Sequence, residues 1–118
     1  HTGAAIGRDI PTWDIHDNFG DTDLLVRNME QGRDLAKTMG QANVVLMRGH
    51  GCSVVGSSIK EATLTAVYLQ ISATVQLQSM PLGDVRYLTP GETDECTNMF
   101  YSDLSVDRVW ENLTARVK

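Results

Sequence analysis

The sequence predicts a small α/β or α+β domain whose own sheet is too narrow to stand complete. Three observations carry that reading. Leu25, Met29, Gly32, Ala36 and Met39 recur at spacings of three and four, which places them on one helical face. Two short apolar runs, "NVVLMR" and "CSVVG", flank Gly49-His50-Gly51 and read as strand, tight turn, strand. Ser58-Ile-Lys-Glu61 is a capping box that opens a second, longer helix.

In chain order, "HTGAAIG" is small and glycine-flanked, as suits a loop lying close to other backbone. "IPTWDIHD" alternates imperfectly, and Pro11 confines it to a strand start or an edge. "NFGDTD" is a turn cluster with Thr22 or Asp23 as helix cap, and the first helix spans Leu24 to Met39, ended by Lys37 and Gly40. "NVVLMR" has the pattern of a strand buried on both faces. The helix after Ser58 runs to Pro81 or Leu82, about 35 Å at 1.5 Å per residue. Its Ala62, Ala66, Leu69, Ala73, Leu77 and Met80 form one stripe, small enough in places to admit a close neighbour. "DVRYL" is a candidate short strand and "TPGETDECTNM" a polar turn region. "SVDRVWENLTARV" repeats Val106, Val109, Trp110, Leu113 and Val117 at helical spacing, with Ser105 as a candidate cap.

The chain has 118 residues, enough for one domain with one core, and a net charge of −5 with its ten basic residues scattered. That excludes a nucleic-acid groove, which needs clustered Lys and Arg. No run reaches the ~20 apolar residues of a membrane span. Cys52 and Cys96 read as free thiols of a cytoplasmic protein, in preference to a disulfide between them. Asn112-Leu-Thr114 matches a glycosylation acceptor, a pattern short enough to arise by chance. The chain opens at His1-Thr2-Gly3 without Met, as though entered in mid-fold.

Chemistry has few places to reside. His1, His16 and His50 are the only histidines, and none pairs with another as H-x-H or H-x-x-x-H. His16 lies among Asp14 and Asp17, and those aspartates, with Asp21 and Asp23, read as turn formers and caps. His50 differs because glycine on both sides frees the backbone and lets the imidazole project from a rigid strand end. A turn residue and a metal ligand are equally good readings of it. Arg48 suits either a carboxylate or phosphate ligand or a surface salt bridge. Cys52 reads as a small buried strand residue, since no base adjoins it. Phosphate-binding glycine loops and a nucleophile elbow are both absent.

Taken in order, "HTGAAIG", "PTWDI", "TDLLVRN", "GRDLA", "VVLMRGHGCSVVG" and "AVYLQISATVQLQ" resemble the class II aldolase/adducin family over residues 1–92, with 93–118 as a tail and helix. The resemblance leans toward the branch of sugar-acid and aromatic-acid aldolases and decarboxylases. It implies a three-layer α/β/α fold around a largely antiparallel sheet, with the N-terminal part of the domain missing from this chain. It also implies a homotetramer and a divalent metal, Zn²⁺ or alternatively Mn²⁺ or Fe²⁺, held by three histidines. His50 falls on the third of them, and the H-x-H segment of the other two would precede His1. The implied reaction is C–C cleavage of a hydroxy-carbonyl or hydroxy-acid substrate through a metal-stabilised enediolate. His1 and Thr2 fall where several relatives carry a His-Tyr pair. Threonine is too weak an acid to replace that tyrosine, so the resemblance does not extend to a proton-donating aldolase mechanism of that type. His1 is a site-wall or catalytic candidate and Arg48 a substrate-binding one. The alternatives are a metal-free scaffold like adducin, or one half of a complex whose partner supplies H-x-H.

Overall fold

The computed structural model describes residues 6 and 9–117. Those residues form two compact units, Asp9–Val55 and the part from Gly56 onward. A candidate role for His1 lies outside the described residues.

In the first unit, β1 (Thr12–Trp13), α1 (His16–Phe19), α2 (Met29–Met39), β2 (Val44–Met47) and β3 (Gly51–Val54) follow one another. The three strands form a mixed sheet in the order β1-β2-β3. β1 lies parallel to β2, with Trp13 beside Met47, and β2 pairs antiparallel with β3 from Val44↔Val54 to Met47↔Gly51. Trp13, Ile15, Val45 and Met47 make the core, and Phe19, Leu24, Leu35 and Met39 pack on it. Burial on both faces of β2 holds at Val44 and Val45, each 0% exposed, but Leu46 is 38% exposed.

The first long helix begins later than its periodicity predicts. It starts at Met29 with Asn28 as cap, whose side chain accepts from the Gln31 amide at 3.0 Å. Thr22 and Asp23 do accept backbone amides, but from Leu24 and Leu25, two residues on. Such local bonds compete with helix formation. Leu24 then takes φ 64, a value that no helix accommodates. Residues 24–28 are consequently an irregular connector.

In the second unit, α3 (Ile59–Ser79) continues into a 3₁₀ turn (Met80–Leu82), followed by α4 (Pro90–Phe100) and α5 (Asp103–Thr114). Ser58 caps α3 as expected, accepting from the Glu61 amide at 3.2 Å. Glu61 reaches back one residue further than a capping box requires, to the amide and hydroxyl of Ser57. Gly56 precedes this turn because a Cβ there would sit 2.8 Å from the Ala62 amide nitrogen.

Several expectations need correction here. Residues 84–88 are irregular rather than a strand. The "TPGETDECTNM" region is helix α4, started by a full capping box between Thr89 and Glu92 with Pro at its first turn. Proline fits there because that amide lacks a helical partner in any case. The buried face of α3 runs through Leu64 and Thr65, not through the alanine stripe, since Ala66, Ala73, Leu77 and Met80 are exposed. Packing against α5 selects the face, and only the first half of α3 is covered. α5 itself buries Val106 and half-buries Val109, Trp110 and Leu113 as its spacing predicts, but it ends at Thr114, leaving Val117 exposed beyond it, and its cap is Ser102 rather than Ser105.

Candidate functional site: the His50 turn and its cavity

Arg48, Gly49 and His50 form the tight turn joining β2 to β3. The His50 amide donates to the Met47 carbonyl at 3.1 Å, closing the turn. Gly49 has φ +69, and a Cβ built on it would lie 2.9 Å from Leu24 Cδ1. Both the backbone angle and the neighbour therefore demand glycine at this position. The turn is short, hydrogen-bonded and tied to a buried strand, so the His50 imidazole starts from a fixed base.

His50 is exposed and lines a cavity of about 670 Å³ with Leu25, Val26, Leu35, Met47, Arg27, Cys52 and Ser53. Leu25, Val26 and Arg27 of this lining come from the connector, which becomes a cavity wall because residues 24–28 are not helical. The walls are apolar, with His50, Cys52, Ser53 and Arg27 as the polar points, a composition typical of small-molecule sites. Cys52 is a free, exposed thiol here rather than a buried strand residue.

Arg48 does not line this cavity. Its Nε donates to the Asp14 carboxylate, and its amide donates to the Trp13 carbonyl at 3.0 Å. The guanidinium beside Asp14 holds that carboxyl below its usual range, helped by the His16 amide at 2.9 Å. Arg48 thus braces the start of the turn against β1. Arg27 is paired likewise, its Nε donating to Asp23 at 2.8 Å, so the cavity wall carries a neutralised ion pair. A second carboxylate held low is Asp34, which accepts from Trp13 Nε1 at 2.8 Å and from Asn18. His16 stands apart, 3.5 Å from Asp21 on the open surface.

His50 fits the part of one metal donor, an unhindered imidazole on a rigid base facing a cavity. Among the described residues, however, no group of three or more His, Cys, Asp and Glu side chains is placed to hold an ion. The described residues therefore do not complete a metal centre. Nor, among them, is any helix long and apolar enough to cross a membrane.

The lining by Leu25, Val26, Arg27, Leu35 and Ser53 escaped the sequence reading. Its one available signal was the run Thr22-Asp23, whose side chains favour turns as much as helix starts.

Comparison with known proteins adds a family. The model described as "Class II Aldolase and Adducin N-terminal domain" matches residues 1–77. Decarboxylase tropJ of Talaromyces stipitatus is 34% identical over 93 residues, covering 70% of this chain and 35% of that protein. The 3,4-dihydroxyphthalate decarboxylase of Terrabacter sp. is 35% identical over 69 residues, covering 58% of this chain and 29% of the relative. Its namesake in Arthrobacter keyseri is 35% identical over 60 residues, covering 51% of this chain and 24% of the relative. The chain spans roughly a quarter to a third of the length of these relatives.

Proposed function

The chain belongs to the class II aldolase/adducin family, and from that premise we propose that it contributes to a lyase acting on a hydroxy-acid or hydroxy-carbonyl substrate. Decarboxylation is the favoured reaction, because the relatives compared are named decarboxylases. The observation that carries the reading is His50, set on a glycine-flanked turn at an apolar cavity. We read His50 as one donor to a divalent ion, Zn²⁺ first and Mn²⁺ or Fe²⁺ as alternatives, with the remaining donors lying outside the described residues. Such an ion, when bound, supplies Lewis-acid polarisation of a substrate oxygen.

The chain's own residues do the rest. The Gly49 backbone and the Met47 carbonyl fix the direction of His50. Leu25, Val26, Leu35 and Met47 offer an apolar surface to the substrate's carbon skeleton. Arg48, held on Asp14, acts as a positioning residue for the turn; a direct substrate contact would require it to leave that carboxylate. A soluble cytoplasmic homotetramer remains part of the proposal. Ile71, Val75, Leu77 and Met80 support it as exposed apolar surface that a second copy would cover.

The test is metal content and affinity, measured on this chain and on a longer version carrying an upstream H-x-H segment. Stoichiometric binding by the longer chain, lost in His50→Ala, is expected. If the longer chain binds no divalent metal, the lyase reading fails and the metal-free scaffold reading takes its place.

A further inference from the structure

The second unit holds a cavity that the His50 chemistry does not use. It measures about 370 Å³ and is lined by Leu64, Tyr68, Met99, Phe100, Ser105, Arg108 and Val109. All of these belong to α3, α4 and α5 or the residues capping them, and none lines the His50 cavity. Tyr68 and Phe100 meet edge to face, centroids 4.7 Å apart, so their geometry is already set as an aromatic wall. Met99 is 48% exposed and offers a polarisable thioether beside them. The rim carries one cation, Arg108, which makes no ion pair among the described residues. Its neighbour Asp107 is engaged instead with Lys60 at 2.6 Å.

We propose that this cavity is a binding site for a single-ring aromatic monocarboxylate, the ring lying against Tyr68, Phe100 and Met99 and the carboxylate pairing with Arg108. Charge and shape both point to that class. A planar guanidinium matches a carboxylate with two parallel hydrogen bonds. The volume lies at the small end of ligand pockets and accommodates a single aromatic ring with its carboxylate. Leu64 at 2% exposure and Phe100 at 8% close the floor, so the ring enters against packed side chains and leaves its charged end at the rim.

The experiment is an isotope-resolved NMR titration of the 118-residue chain with benzoate, with benzamide as the uncharged isostere. Saturable shifts clustered on Leu64, Tyr68, Met99, Phe100 and Val109 are expected, with a Kd on the order of 1 mM, as one ion pair and one ring allow. Benzamide and the variant Arg108→Gln should each weaken binding about tenfold. Arg108 is exposed, so its replacement leaves the fold intact, and the benzamide comparison repeats the charge test on unaltered protein. Absence of saturation, or equal binding of benzoate and benzamide, would overturn the proposal. Shifts centred on His50 and Cys52 would also overturn it, while leaving the lyase reading untouched. Loss of metal binding in the experiment above bears only on His50, so the two failures are separable.

Discussion

Replacing Gly49 by Ala tests whether the turn beneath His50 is as constrained as its geometry implies. Two costs add. An L-residue at φ +69 pays about 1–2 kcal/mol for the left-handed conformation. The new Cβ also falls 2.9 Å from Leu24 Cδ1, which must move within a packed cluster at about 1 kcal/mol. Gly49→Ala should therefore destabilise the chain by about 2–3 kcal/mol. In a Leu24→Ala background the Cδ1 atom is gone, and the same change should cost only the backbone part. The coupling between the two sites is then about 1 kcal/mol. Urea unfolding followed by tryptophan fluorescence reads this directly. A Trp110→Phe background leaves Trp13, 3% exposed in the sheet core, as sole reporter. A cost for Gly49→Ala that is identical in both backgrounds would refute the Leu24 contact. A cost near zero would refute the positive φ on which the rigid placement of His50 depends.

The structure makes further commitments of the same kind. Thr89→Ala removes the α4 cap and should cost about 1 kcal/mol in urea unfolding. Tyr101→Phe deprives the fully buried Thr65 hydroxyl of its 2.7 Å partner and should cost about 1–2 kcal/mol, part of which Thr65→Val in the same chain should recover. Asp14, Asp23 and Asp34 have carboxyls held below their reference value of 3.8. The unfolded chain thus binds more protons than the folded one as pH falls below that value. Stability supplied by these groups is complete above it and is lost as pH drops through the folded pKa values, and Asp14→Asn should flatten that acid limb in pH-dependent unfolding. Val45→Ala, in a side chain with no exposure, should cost about 2 kcal/mol in the same assay.

Local chemistry was the part of this protein most legible in its residues. The strand pair around Gly49-His50-Gly51, the Ser58 cap and the spacing of α5 all follow from contacts within a few positions of one another, so the sequence alone determined them. The capping box of α4 was written there too, as Thr89-Pro-Gly-Glu92, but Pro and Gly signal turns as readily as first helical turns. Family membership was legible for a different reason, since ordered motifs over most of the chain are specific where any one of them is not.

Tertiary structure decided what local chemistry leaves balanced. Leu25 fits a helical face, yet Leu24 at φ 64 keeps the connector out of the helix and leaves Leu25 as a cavity wall. The alanine stripe of α3 fits a packing face, yet the neighbours that exist bury Leu64 and Thr65 instead. Arg48 could have met a ligand or a partner, and the parallel pairing of β1 with β2 brings Asp14 to it. In each case periodicity says which residues can share a face, and only the element packed against that face determines which of them are buried, braced or left open to a ligand.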